Sequence, residues 1–171
     1  NARNKDSGGA EVGICLPLTT PDTAQTHVPD LAPPPDLTGT RLLLAEDNPS
    51  CRELARALTR AIGADLTLVE DGAQVIAALT SGPLPDVLIL DDEMPAVTGL
   101  QLLHWLRAQG GDFAALPVLA LTSHIGVNEI NALRQAGANE VLAKPVLCPL
   151  ELGRAIRRAQ GFDTPAPQSP A

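Results

Sequence analysis

Residues able to do chemistry stand at the ends of four apolar runs. Glu46 and Asp47 follow RLLLA, Asp91, Asp92 and Glu93 follow VLIL, Thr122 and Ser123 follow LPVLAL, and Lys144 follows NEVLA. Carboxylates crowded at the end of a buried run repel one another and resist leaving water. Either they stay solvated or a cation joins them. Clustered carboxylates suit a hard divalent cation, and Mg2+ keeps some of its waters while taking one or two carboxylates. Such a cation also offsets charge on a transferring phosphoryl group. An Asp carboxylate can then act as nucleophile and form an acyl phosphate. A hydroxyl and an ammonium, Thr122 and Lys144, suit the remaining phosphoryl oxygens. A transfer of this kind rests mostly on positioning and charge stabilisation.

That chemistry needs elements that bring the four ends together. RLLLAE (41 to 46) reads as a strand, and NPSCRELARALTRAIG after it carries a helical stripe at Leu54, Leu58 and Ile62. Asn48 can cap that helix, Pro49 fits its first turn and Gly63 can end it. DLTLVE (65 to 70) is a second strand, and DGAQVIAALTSG a helix with Asp71 and Gln74 spaced as a capping box. DVLILD (86 to 91) is a third strand, apolar on both faces, with Asp86 opening it. TGLQLLHWLRAQG (98 to 110) is a helix, box-like at Thr98 and Gln101, with Leu100, Leu103 and Leu106 spaced for core packing. LPVLALT (116 to 122) is the fourth strand, VNEINALRQAGA a helix stopped by Gly137, NEVLAK (139 to 144) the fifth strand and CPLELGRAIRRAQG the last helix. Its Arg154, Arg157 and Arg158 read as a solvated helix end. Continuous apolar strands alternating with helices predict a parallel sheet covered on both faces. Right-handed crossovers leave few topologies, and the simplest is an α/β doubly wound sheet of order 2-1-3-4-5. In such sheets the working site lies at the carboxyl ends of the strands, where the order reverses. Strands 1 and 3 are then neighbours, so Glu46, Asp47 and Asp91 meet at one mouth.

Composition narrows the function classes. The chain has 171 residues, 20 acidic against 12 basic, and a formal net charge of −8. That balance lacks the basic face of a nucleic-acid binder, and aromatics at 2%, with no Tyr, leave nothing to stack on single strands. No apolar run is long enough to cross a bilayer and no signal peptide is evident, so a cytoplasmic setting and no membrane contact are expected. Cys15, Cys51 and Cys148 are odd in number and lack metal-ligand spacing, which fits reduced thiols.

Together the segments LLLAEDN, DVLILDDEMPAVTG, ALTS and LAKP resemble, in order and near spacing, the four signature segments of response-regulator receiver domains. The resemblance covers residues 41 to about 160 and implies a flavodoxin-like receiver fold. It implies that Asp91, which opens D-x-x-M-P, is the phosphoacceptor, taking a phosphoryl group from a phosphohistidine. The implied metal shell is Glu46 and Asp47, with Asp47 the more direct ligand, together with Asp91 and the backbone carbonyl of Glu93, around Mg2+. Thr122 is implied to bind a phosphoryl oxygen, Lys144 to pair with the phosphate, and the Lys144–Pro145 bond to be cis. The family usually carries Phe or Tyr three residues before the Lys. Val141 stands there and cannot swing a ring into the core. A receiver used as a relay station needs that aromatic less.

The first segment, SGGAEVGICLPL (7 to 18), resembles the last glycine turn and strand of a histidine-kinase ATP-binding domain, with Val12 where an aromatic is common. The opening NARNKDSGG reads as the cut edge of a longer protein. The expected organisation is therefore that tail over 1–18, a Pro-rich linker over 19–39, the receiver over 40–161 and a disordered tail over 162–171, in the order of a hybrid sensor kinase. The kinase's nucleotide-binding boxes are absent, so ATP binding is not expected. The partners implied are a phosphohistidine-bearing kinase domain or a histidine phosphotransfer domain.

Other readings use the same residues. Strand-end acids taken singly are ordinary solvated loop charges, and the side chains of Asp92 and Glu93 are expected to face solvent. Lys144 alone is a surface Lys, and Thr122 alone a strand-end hydroxyl. His104 beside Trp105 lacks a phosphotransfer motif and reads as structural or surface; His124 borders the mouth as a loop His, and His27 belongs to the linker. Two alternatives to the phosphoacceptor are a module that docks a kinase without phosphorylation and a small-molecule phosphotransferase with an Asp nucleophile. The full set of site residues weighs against the first. The second needs D-x-D-x-[TV], which DDEMP does not fit.

Overall fold

The structure is a computed structural model that describes residues 33–95 and 97–162, with residues 2–4 and 10–12 as backbone. The chain divides between Leu31 and Ala32. In the first unit, β1 (Ala2–Asn4) pairs antiparallel with β2 (Ala10–Val12), Ala2 opposite Val12. The rest of the kinase-like segment over 7–18, the linker as far as residue 32, with His27 in it, Cys15 and the tail from 163 lie outside the described residues.

The second unit alternates strand and helix. In order come β3 (Arg41–Ala45), α1 (Pro49–Ala61), β4 (Asp65–Val69), α2 (Gly72–Ser81), β5 (Val87–Asp91) and α3 (Gly99–Ala108). There follow α4 (Gly111–Ala115), β6 (Val118–Thr122), α5 (Val127–Gln135), β7 (Glu140–Ala143) and α6 (Pro149–Ala159). The sheet runs β4-β3-β5-β6-β7 with every pairing parallel. Counted within this unit, that is the expected order 2-1-3-4-5.

The apolar runs explain the layers. Strand side chains alternate between faces. Val87 and Ile89 of β5 join Leu42, Leu44, Leu119 and Ile156 on one face, while Leu88 and Leu90 join Leu43, Val118, Leu102 and Leu106 on the other. Every residue of β5 and β6 is buried. Each such Leu, Ile or Val contributes about 1.5–3 kcal/mol through burial. The edge strand β4 instead alternates exposed and half-buried residues before ending on the buried Val69.

Helix ends follow the polar residues. Asn48 Oδ1 accepts from the backbone N–H of Ser50 at 2.9 Å and of Cys51 at 3.4 Å, with Pro49 in the first turn of α1. Thr98 and Gln101 form the complete reciprocal box. At α2 the Asp71 carboxylate accepts from the Gln74 N–H at 2.8 Å, but the Gln74 amide oxygen accepts from Glu70 rather than Asp71. The box there is shifted by one residue.

Four details differ from the sequence expectations. Leu58 and Ile62 are buried but Leu54 is 37% exposed; it borders an apolar cavity of about 120 Å3 beside Cys51 and Val146. On α3, Leu102 is buried with Leu103 and Leu106 while Leu100 is 37% exposed, because the core-facing arc runs through Gly99, Leu102, Leu103 and Leu106. The five-residue helix α4 is too short for apolar periodicity to register. Packing also starts before residue 40: Leu37 is buried and its N–H donates to the Ile62 carbonyl at 2.8 Å.

Candidate functional site

Strand register assembles the site. Ala45 lies opposite Leu90, so Glu46, the next residue, is level with Asp91. Asp91 lies opposite Leu121 and Thr122 opposite Ala143. The ladder then continues past the strands: Asp92 N–H donates to the Leu121 carbonyl at 3.0 Å and Lys144 N–H to the Thr122 carbonyl at 2.8 Å. Glu46 and Asp91 thus end level, Thr122 stands one rung beyond the partner of Asp91 and Lys144 one rung beyond the partner of Thr122, and all four ends open onto one mouth.

Glu46, Asp91 and Thr122 are buried, at 2%, 2% and 1% exposure, while Asp47 is exposed. Carboxylate oxygens of Glu46, Asp47 and Asp91 lie within 4.8 Å of one another. The set is all hard oxygen donors, which fits Mg2+ and does not favour softer transition metals. Lys144 Nζ donates to Asp91 Oδ2 at 2.5 Å and to Glu46 Oε2 at 2.8 Å. Burial alone would lower the Lys144 pKa, but the hydrogen bonds and charges of Asp91 and Glu46 outweigh it and hold the ammonium above its ordinary value. Asp91 Oδ1 accepts from the Glu93 N–H at 3.2 Å, so both oxygens of this carboxylate are engaged by donors. The Glu93 side chain is exposed and sits 3.5 Å from His124 Nδ1. The Lys144–Pro145 peptide is cis.

Backbone approach matters at one glycine. A Cβ on Gly99 would stand 2.6 Å from the Asp91 carbonyl oxygen and 2.7 Å from Asp92 Cα. The first turn of α3 can close on the acidic turn only because this residue has no side chain.

Two participants were not anticipated. Arg52, on the first turns of α1, donates to the carbonyls of Glu46 at 3.1 Å and Asp47 at 2.8 Å and ion-pairs with Glu70 at 3.0 Å. It ties the acidic loop to α1; its spacing of five residues from Asp47 is the signal that was available. Asp92 is the second. Its side chain does not face solvent: Oδ2 accepts from the Thr122 hydroxyl at 2.6 Å. Burial raises the Asp92 pKa; the Thr122 hydrogen bond opposes this, and the charges of Asp91 and Glu93 reinforce it. The remaining candidates take plain roles. His104 is exposed, Val141 is half-buried against the core, Asp86 pairs with Arg41, and Arg158 of the last helix pairs with Glu140 at 2.9 Å.

Known proteins share this arrangement. The family model described as response regulator receiver domain matches residues 42–157. The sensor protein GacS of Pseudomonas syringae pv. syringae is 32% identical over 119 residues, which cover 68% of this chain and 13% of GacS. The response regulator MprA of Mycobacterium sp. (strain KMS) is 34% identical over 132 residues, 74% of this chain and 56% of MprA. The chain therefore spans only part of the length of the curated relatives it matches. Among solved structures, the receiver domain of the sensor histidine kinase PA1611 from Pseudomonas aeruginosa PAO1, with a magnesium ion coordinated in its active site cleft, superposes with TM-score 0.64 at 31% identity. That match covers 72% of this chain and 99% of the other. A response regulator described as putative, from Chloroflexus aurantiacus J-10-fl, gives TM-score 0.64 at 29% identity, covering 71% of this chain and 98% of the other. Among the described residues no helix is long and apolar enough to cross a membrane. A sheet whose register delivers buried acids, a hydroxyl and a lysine to one mouth is thus matched by one family over most of the chain: this protein belongs to the response regulator receivers and is a receiver domain of two-component signalling.

Proposed function

We propose that Asp91 accepts the phosphoryl group in this domain. A carboxylate oxygen of Asp91 attacks the phosphorus of a phosphohistidine on a kinase or histidine phosphotransfer domain. The new P–O bond forms as the P–N bond breaks, and the electron pair leaves with the imidazole nitrogen. Glu46, Asp47, Asp91 and the Glu93 carbonyl would hold Mg2+. When bound, the ion offsets the negative charge that builds up on the phosphoryl oxygens. Lys144, already seated on Asp91, moves its hydrogen bond to a phosphoryl oxygen, and the Thr122 hydroxyl takes another. The dianion then biases a local switch at Thr122. One observation carries this reading: a carboxylate at 2% exposure whose two oxygens are held by Lys144 Nζ and the Glu93 N–H, beside a second buried acid.

The test is incubation of the chain with acetyl phosphate and Mg2+, followed by intact-mass measurement. Wild type should gain one phosphoryl group and Asp91→Asn none. Acid-stable or undiminished labelling of Asp91→Asn would sink the assignment. Turnover of many small phosphate esters would favour the phosphotransferase reading instead.

The parent protein we place among hybrid sensor kinases, in a cytoplasmic setting, with the segments in the order given above and the receiver beginning near Leu37. Support comes from the kinase-like segment before the receiver and from the likeness to receivers of GacS and PA1611. The nucleotide-binding boxes sought in the preceding sequence of the full protein decide this.

A further inference from the structure

The hydroxyl assigned above to a phosphoryl oxygen is already in use. Thr122 Oγ1 lies 2.6 Å from Asp92 Oδ2 and 3.3 Å from the His124 carbonyl oxygen. A hydroxyl has one proton to give. At 2.6 Å to an ionised acceptor it sits in the range of charge-assisted O–H···O bonds, which are roughly twice as strong as neutral ones. The proton therefore goes to Asp92, while the His124 N–H donates back to Oγ1 at 3.0 Å. From the other side, the Thr122 proton is the hydrogen bond that satisfies the Asp92 carboxylate. Its second oxygen, Oδ1, is buried and has no hydrogen-bond partner among the described residues. Nor can the carboxylate drift away easily. The Asp92 N–H is bound to the Leu121 carbonyl at 3.0 Å, its carbonyl accepts from the Gly99 N–H at 3.2 Å, and α3 closes on its Cα at Gly99. The backbone is pinned on both sides, so the contact is released only by rotation of the Thr122 or Asp92 side chain.

We propose that Asp92 is a latch on Thr122: its carboxylate competes with a phosphoryl group on Asp91 for the Thr122 proton, and so slows phosphorylation and restrains the switch. Asp92 is a positioning residue that acts through Thr122. The proposal rests on the reading of Asp91 as acceptor. When Thr122 turns toward the phosphoryl group it strips a half-buried carboxylate of its hydrogen bond, and that cost falls on the phosphorylated state and on the transition state leading to it.

A double-mutant cycle on the full chain tests this, with acetyl phosphate and Mg2+ as the donor and rates of acyl-phosphate formation as the readout. Asp92→Ala should charge roughly tenfold faster than wild type, the factor expected for losing a hydrogen bond to a charged group. Asp92→Asn keeps shape and an uncharged acceptor, and should fall between the two. In a Thr122→Val background the gain from Asp92→Ala should shrink by about threefold or more, since interaction between contacting residues is what such cycles detect. An equal gain in both backgrounds makes Asp92 a plain negative charge and overturns the latch; so does an unchanged or slower rate in both Asp92 variants. A readout independent of phosphorylation is the Thr122 methyl resonance in the uncharged protein. It should move in Asp92→Ala and Asp92→Asn, and an unmoved signal overturns the latch. If wild type takes no label on Asp91, the acceptor reading has failed, and the methyl resonance still decides whether Asp92 holds Thr122.

Discussion

At the amino end of the sheet, Arg41 Nη2 donates to Asp86 Oδ1 at 2.9 Å, its backbone N–H donates to Oδ2 at 2.8 Å, and the Asp86 N–H returns a bond to the Arg41 carbonyl at 2.8 Å. Nearby, the half-buried Arg107 guanidinium donates to the carbonyls of Gly137, Phe113, Ala114 and Leu116 and to the Asn139 side chain. At the carboxyl end, by contrast, Glu46, Asp47, Asp91, Asp92 and Glu93 follow one another at the strand ends, and Lys144 pairs with only Glu46 and Asp91. The same strands connect the two regions, so fold alone does not account for the difference. Where each polar group finds its complement, the cluster fastens elements together. Where like charges outnumber their complement, the fold carries a repulsion that a cation and a phosphoryl group can use. Charge imbalance at a buried strand end is therefore the better pointer to chemistry than polarity itself.

Exchanging the roles of the two ends gives the sharpest tests. The largest effect belongs to Asp91→Asn, which should abolish acyl-phosphate formation while leaving the urea midpoint nearly unchanged. A large loss of stability would mean that the carboxyl end is structural as well. Next comes Arg107→Ala. It leaves several half-buried carbonyls without a donor and should cost about 3 kcal/mol in urea unfolding. The phosphorylation rate per folded molecule should not change. Third, Mg2+ at about a hundredfold its Kd should stabilise the protein by about 2.7 kcal/mol, read as a rise in Tm. Asp47→Asn should remove most of that rise and Arg107→Ala none of it. The smallest effect is a pH dependence at the amino end. The Arg41 hydrogen bond holds the Asp86 carboxyl below its ordinary range, although burial opposes it. The folded state then binds fewer protons than the unfolded one near the ordinary carboxylate pKa. The contribution is present above that value and fades as pH falls through the lower folded one. Asp86→Asn should flatten this part of the acid limb, by little, because the pair is exposed to solvent.

The comparison also explains what could be read before any coordinates. Runs such as VLIL and LPVLAL declare burial on both faces, and that property dictates helices on both sides and parallel neighbours. The carboxyl end was legible because its residues directly abut those runs: Asp91 follows Leu90 in the chain, and parallel pairing does the rest. The amino end was not. Arg107 meets Gly137 and Asn139 across 30 and 32 residues of sequence, and it meets the Phe113 and Ala114 carbonyls in a helix of five residues that no periodicity announces. Asp92 escaped for another reason. Alternation of side chains predicts direction inside a strand and says nothing one residue past its end, where Asp92 turns in toward Thr122. Leu54 and Leu100 show the same limit on helices: spacing identifies a stripe but not which edge of it the neighbouring strands cover.

The staggered rungs at the mouth bear on how this site tolerates change in length. Residues added after β5 or β6 leave the register of the strands unchanged, although they would loosen the return of Gly99 onto Asp92 or of His124 onto Thr122. Deleting a single residue inside β6 would slide its end back by one position and put Ser123 where Thr122 stands. The deletion would also reverse which face every later side chain of that strand addresses. A frame of this kind permits insertion beyond the sheet and forbids it within.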